Sequence, residues 1–494
     1  MNRHRTSWAA FAAIVVAFLA GPASATEYEA DRIVVSLNPG ATIEQINASW
    51  GTTTLDAFPE GNLYLLDAAG LGDVEALATS MGADPAVQEA EANYLGETPE
   101  TIRQMVVVIV GGGYSEYADQ SIGPRIGHAP AHLLPRGAGI TVAVLDTGID
   151  AAHIAFAGRL SPAAYDFVDH DADPSETQNG LDEDQDSIAD EGYGHGTMVA
   201  GVVALVAPEA TILPVRVLND EGNGDAYGIA KGIRYAVNQG ADVINLSFGV
   251  MRHLSTIGHQ VAWARAQGVV VVAGAGNEGL EQAYYPAGDS DAEMVTAVDS
   301  LDIKASFSDW DQKVLVSAPG TGVRSAFPGG VWANGNGCSF ATPFVAGEAA
   351  LIRSLSPADP PDSVRDRIAR GVVPIDLLPG NEAYQEKLGS GRISLPLALG
   401  ASMASVDPIS FDLRIKAAPN PSRGEVLLWA SESLREHDVR VFDAKGRLVC
   451  RLDPADAPVW DGRRADGRPA GPGVYFLRAQ HGRQQLVTRV SLLR

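Results

Sequence analysis

Five stretches, "ITVAVLD", "TILPVRVL", "DVINLSFG", "VVVVAGAG" and "EMVTAVDS", are near-continuous apolar runs of strand length. Segments of helical period separate them; "HGTMVAGVVALV", "DAYGIAKGIRYAVNQG" and "STIGHQVAWARAQG" are the best examples. A strand without a polar face cannot lie against water, so these strands call for a parallel sheet covered by helices on both faces. The expectation is an α/β domain of three layers over residues 115–402. In such a sheet ligands bind beyond the carboxyl ends of the strands, and several polar residues of interest lie there.

At 494 residues the chain exceeds what one core organises, and its ends read differently from its middle. "MNRHR", the apolar run Trp8–Ala20 and "ASA" form a basic, apolar and small-residue series. This reads as a secretory signal over residues 1–25, with an uncleaved anchor as the alternative. Residues 26–104 contain a small α+β unit. "DRIVVSLNPG" and "GNLYLLDA" read as strands, "TIEQINASW" and "LGDVEALATSM" as helices, in a βαββαβ order. A unit of this size behind a leader suggests a removable pro-segment, and "GETPETIRQ" reads as a polar connection after it. From Ile409 the period becomes two, in "EVLLWAS", "DVRVFDA", "GRLVCRLD" and "GVYFLRAQ", which predicts a β-sandwich over residues 409–494.

Charge separates the same parts. The chain carries −25, yet from Ile409 onward 15 Lys/Arg face 10 Asp/Glu, so the remainder carries −30. Such a balance argues against nucleic acid as a partner, because phosphates require a basic surface. The two cysteines, Cys338 and Cys450, fall in different predicted domains and read as free thiols rather than a bridge.

Four residues at strand ends or helix starts could carry chemistry. Asp146 closes "VAVLD"; alone it reads more readily as a helix N-cap than as a functional carboxylate. His195 sits in "YGHGTMVAG" between glycines that let backbone approach closely, although a lone His there is more often a capping or core residue. Asn277 follows the buried strand of "VVVVAGAGNEG", where an amide can donate into the crevice or simply shape a turn. Ser339, in "GCSFATPFVAG", could be a nucleophile or an N-cap, with Pro343 suited to the first turn of the helix. Together they supply acid, base, nucleophile and oxyanion donor in one α/β domain.

The motifs "AVLDTGID", "GHGTMVAG", "INLSFG", "AGAGNEG" and "GCSFATPFVAG" resemble, in order, those of the subtilisin-like serine proteases, the subtilases. The resemblance implies a serine endopeptidase in which Ser339 attacks the scissile carbonyl, His195 moves the proton and Asp146 orients the imidazole. Asn277 would bind the oxyanion with the Ser339 backbone N–H. Ser247, Phe248 and Gly249, with Gly274, Ala275 and Gly276, would be the edges that bind substrate backbone. The two latter glycines suggest a roomy, apolar-tolerant pocket for the side chain before the scissile bond. Cys338 replaces the family's usual threonine, and Phe340 and Phe344 replace its commoner methionine and histidine. Residues 26–104 resemble the family's propeptide, a chaperone and inhibitor and so a partner of the protease domain. Residues 409–494 resemble the Ig-like C-terminal domains of type IX secretion cargo and flagellar hook-capping proteins. That likeness implies outer-membrane secretion machinery as a partner and a secreted or surface-attached product. A catalytically silent surface binding protein on the same fold is the reading from a different class.

Between Asp166 and Glu191 lie eleven acidic residues and no Lys or Arg. A cation would relieve that density. "DEDQDSIAD" sets Asp182, Asp184, Asp186 and Asp190, with the Ile188 carbonyl, at calcium-loop spacing. Ser187 and Tyr193 stand where an EF-hand has Gly and Glu, so the pattern is nearer the shorter calcium loops, and a solvated acidic loop is the other reading. Structural Ca²⁺ is the expected cofactor.

Overall fold

In the computed structural model the described residues are 28–100, 107–134, 136–182, 188–400, 415–418, 422, 426–430, 439–452, 459–481 and 484–493. They fall into two compact units that divide at Val406/Asp407.

The predicted parallel sheet forms the centre of the first unit. Nine strands run in the order Val372–Val373, Arg392–Ile393, Val316–Pro319, Ala292–Val298, Val270–Gly274, Val243–Leu246, Thr141–Asp146, Thr211–Arg216 and Tyr165–Asp166. All pairings are parallel except that of the first two. Burial explains the unbroken apolar runs: every residue of Val243–Leu246 and Val270–Gly274 is buried. Helices His195–Val206 and Cys338–Leu355 pack on each other, the latter also on the central strands. Helices Ala226–Asn238 and Ser255–Ala266 form a second pair. From Cys338 to Arg353 the longest helix is buried on all sides, as an all-round apolar helix must be.

Pro343 does not stand in that helix's first turn, as the sequence suggested, but inside it, because the helix begins at Cys338. Proline has no N–H for the carbonyl four residues back. That carbonyl belongs to Ser339, and it accepts the Ser247 hydroxyl instead, at 2.9 Å.

The N-terminal α+β part has the βαββαβ order: Tyr28–Leu37, Ile43–Trp50, Thr53–Phe58, Leu63–Asp67, Val74–Met81 and Val87–Glu97. Helix Ile43–Trp50 starts with a capping box of Thr42 and Gln45 and ends at Gly51, whose φ of 73° suits glycine. Both helices pack over the sheet through Ile46, Val74, Ala78 and Met81. The last strand runs on to the following α/β part of the unit, where Leu95, Gly96 and Glu97 pair antiparallel with Asp225, Gly224 and Asn223. The stretch "VVIVGGG" contributes strand Val108–Val110 beside the hairpin of Val323–Phe327 and Val331–Gly335.

The second unit contains two antiparallel sheets, Ile415–Ala418/Val426–Ala430/Val459–Trp460 and Leu448–Leu452/Val439–Asp443/Gly473–His481/Gln484–Leu492. Val439, Val441, Trp460, Tyr475, Leu477 and Val490 are among its core residues. Among the described residues no helix is long and apolar enough to cross a membrane.

Candidate active site

Asp146 ends its strand buried, one residue before a turn, and His195 opens helix His195–Val206. The two meet at 2.6 Å, Asp146 Oδ1 to His195 Nδ1. Glycines on either side of the histidine are required by space. A Cβ on Gly194, at φ 91°, would overlap the Phe327 ring, and one on Gly196 would overlap the Gly148 carbonyl. Phe340 packs beside the imidazole at 5.6 Å between ring centroids.

Ser339 lies at the start of the buried helix, on the other side of the imidazole. Its hydroxyl lies 2.9 Å from the Ser247 carbonyl and 2.6 Å from Oε2 of Glu100. The same Glu100 oxygen lies 3.2 Å from His195 Nε2, and Oε1 accepts from Asn277 Nδ2 at 2.8 Å. Asn277 is fixed from behind, since its Oδ1 accepts the Cys338 N–H at 2.9 Å. Four residues singled out by motif therefore stand in one place, and three of them face a single carboxylate that follows the N-terminal α+β part.

Electrostatics follow from that carboxylate. Burial alone would lower the His195 pKa, but Asp146 and then Glu100 outweigh it and push the value up to about 10. An imidazole between two carboxylates holds both protons and cannot accept a third. Cys338 behaves oppositely. Burial pushes its thiol up to about 12, with Sγ 3.0 Å from both Ser308 Oγ and the Gly276 carbonyl, so it packs as a neutral thiol.

The edge residues divide. Gly249 exchanges two backbone hydrogen bonds with Glu97, at 3.0 and 3.2 Å, and Ser247 holds Ser339. Phe248 turns its ring into the core. Gly274 and Ala275 belong to the sheet: a Cβ on Gly274 would meet Thr342 at 3.0 Å, and the Ala275 N–H bonds Val295. Gly276 adjoins Asn277, and the space beside it is filled. Tyr284, fully buried with its hydroxyl unpartnered, comes within 3.0 Å of a Cβ placed on Gly276 and 2.8 Å of one placed on Gly249.

Three participants escaped sequence reasoning. Glu100 lay in what read as a polar connection. Strand Asn223–Asp225 has no apolar pattern and forms by pairing with Leu95–Glu97. Tyr284 carries no motif signal. Of the acidic loop, Asp184 and Asp186 lie outside the described residues; Asp182, Ile188 and Asp190 lie within them. The Asp190 carboxylate accepts the N–H groups of Asn179 and Gly180. Among the described residues no three His, Cys, Asp or Glu are grouped to hold a metal.

Residues 137–391 match the family model "Subtilase family", and residues 16–93 match "Fervidolysin N-terminal prodomain". Thermitase of Thermoactinomyces vulgaris is 39% identical over 249 residues, 48% of this chain and 84% of that protein. The thermophilic serine proteinase of Bacillus sp. (strain AK1) is 36% identical over 296 residues, 58% and 67% of the two chains. Among solved structures, fervidolysin from Fervidobacterium pennivorans, a keratinolytic enzyme related to subtilisin, superimposes with a TM-score of 0.63 at 21% identity. The match covers 94% of this chain and 77% of that one, a likeness of fold.

Proposed function

The chain belongs to the subtilase family and is a serine endopeptidase with a fervidolysin-like prodomain; from that premise we propose that it is exported as a self-processing zymogen whose chemistry is carried by Asp146, His195 and Ser339. The observation that carries this reading is the convergence of Ser339 Oγ, His195 Nε2 and Asn277 Nδ2 on the two oxygens of Glu100. A carboxylate is planar and anionic, and here it stands in for the carbonyl, or the developing oxyanion, of a substrate.

With Glu100 withdrawn, His195 Nε2 is free to take the Ser339 proton as Oγ attacks the scissile carbonyl. It later returns that proton to the leaving amine. Asp146, 2.6 Å from Nδ1, fixes the tautomer and stabilises the imidazolium. Asn277 Nδ2 and the Ser339 N–H bind the oxyanion. Substrates enter extended and pair with Asn223–Asp225 and Gly249 as residues 95–97 do. Glu97 opposite Gly249, with Glu100 at the nucleophile, favours a processing bond within residues 98–106.

The acidic loop binds a structural Ca²⁺. Asp182, Asp184, Asp186, Asp190 and the Ile188 carbonyl are an all-oxygen set that suits a hard cation, and the loop leads directly into His195. The tail, with its two antiparallel sheets, acts as an Ig-like sorting domain read by outer-membrane secretion machinery, which leaves the product secreted or surface-attached.

The chain from Thr26, with calcium, as wild type and as Ser339→Ala, tests the zymogen by intact-mass spectrometry over time. Only the wild type should shed a fragment of prodomain size. Two intact chains that a fluorophosphonate leaves unlabelled would favour the silent binding protein.

A further inference from the structure

One partly buried carboxylate beside the Asp146–His195 pair has no part in the reaction as described. Glu176 lies in the loop between strand Tyr165–Asp166 and the His195 helix. Its Oε1 accepts the Thr147 hydroxyl at 2.5 Å and the N–H groups of Gly194 and Gly196 at 3.2 and 3.1 Å. Oε2 accepts the Thr197 hydroxyl. Thr147 directly follows Asp146, Gly194 and Gly196 flank His195, and Thr197 lies one residue further on. Four donors from both halves of the pair thus meet on one side chain.

Both hydroxyls are committed to this arrangement. Thr147 Oγ1 accepts the Gly196 N–H at 2.9 Å, and Thr197 Oγ1 accepts the Asp150 N–H at 2.8 Å. The loop is fixed as well, because Pro174 O accepts the Ile149 N–H at 2.8 Å. A Cβ on Gly148 would stand 2.5 Å from the Pro174 carbonyl and 3.1 Å from Glu176 Cγ. Gly148, at φ 117°, therefore leaves the room that lets the Glu176 loop lie against the Asp146 turn.

We propose that Glu176 is a positioning residue for the Asp146–His195 pair: it clamps the turn after the aspartate to the start of the histidine helix and sets a fixed negative charge beside the imidazole. The helix N-terminus favours that charge, and the two amides anchor it there. The groups facing Glu176 are Asp146 from the strand, His195 from the helix and Tyr193 from the turn before it; Glu100 faces His195 from the prodomain, and Asp150 adds to the field at Tyr193. The Glu176 pKa is raised overall, first by burial and also by Asp146, against the lowering by the two threonine hydroxyls and by His195. The last influence is mutual, so an ionised Glu176 favours the imidazolium.

The inference rests on the triad reading, and wild-type enzyme separates the two: a wild type that neither matures itself nor hydrolyses a peptide anilide removes the premise, not this step. With active wild type, Glu176→Gln in the full chain should retain its melting transition and show a kcat about ten-fold lower at little-changed KM, the pattern of a group acting on the transition state. Its acid limb of kcat should move to lower pH. Lost folding contacts alone would leave that limb in place, so a folded Glu176→Gln with the wild-type acid limb overturns the proposal. If Glu176→Gln does not fold, Thr197→Val keeps the charge and removes one tether. A kcat lowered several-fold and restored by Thr197→Ser supports the clamp, and a folded Thr197→Val with wild-type kcat overturns it.

Discussion

Replacing Glu100 by alanine in the full-length precursor should unmask Ser339. The wild-type carboxylate takes three contacts, at 2.6 Å from the Ser339 hydroxyl, 2.8 Å from Asn277 and 3.2 Å from His195. Bonds to a charged partner contribute about 1.5–3 kcal/mol each. They do not sum, because the freed donors regain water and the remaining prodomain strand stays paired with Asn223–Asp225 and Gly249. A net of about 3 kcal/mol is a sound expectation, or roughly 100-fold in the open fraction at 1.4 kcal/mol per decade. The assay is the rate of fluorophosphonate adduct formation on the precursor, read by intact mass. pH should act in the same direction. Asp146 and then Glu100 raise the His195 pKa to about 10, and only the Glu100 share is lost on opening, so its contact with the imidazolium stabilises the closed state at lower pH and is lost as pH rises through about 10. Labelling of wild-type precursor should therefore accelerate between pH 7 and 10, and that of Glu100→Ala should accelerate less. An alanine precursor labelled at the wild-type rate throughout would refute the idea that this carboxylate closes the site.

Four further outcomes are expected. Asn277→Ala should lower kcat by about 10²–10³, a figure taken over from subtilisin, a member of the same family, with KM nearly unchanged in peptide hydrolysis. Gly194→Ala should lower the melting temperature and delay self-processing, since the new methyl both meets the Phe327 ring and must hold φ 91°; the backbone alone costs about 1–2 kcal/mol. Tyr284→Phe removes a buried hydroxyl that has no partner and should raise stability by about 1 kcal/mol in a denaturant titration. Cys338, with its thiol pushed up to about 12 and no exposure, should resist iodoacetamide at pH 8 with activity intact.

The sheet and its major helices were legible because burial on both faces writes itself into sequence as uninterrupted Val, Ile, Leu and Ala, and the His195 helix spans the predicted "HGTMVAGVVALV". The site was legible where chemistry is tied to a local motif, as at "GHGT" or "GCSFATP". It was not legible where a contact joins distant segments. Glu100 reaches Ser339 across 239 positions, and nothing near it in sequence distinguishes it from the neighbouring acids. Asn223–Asp225 becomes a strand only because another strand lies beside it. Gly274 shared a motif with Asn277, yet a side chain there would point to Thr342, because alternate residues of a strand face opposite ways.

The same three residues, Asn223, Gly224 and Asp225, have a second consequence. When the prodomain leaves, a sheet of five strands loses four, and a row of backbone donors and acceptors is left facing solvent. Exposed edges of that kind recruit other chains indiscriminately when they are long and apolar. This one is three residues long, carries a carboxylate and a glycine, and faces a crevice barely one strand wide between Gly222 and Gly249. It admits a single unfolded segment and offers too little length for two copies of the enzyme to join. A folded protein must first open several residues of its own before it fits, so attack should track the local unfolding of the victim rather than its sequence.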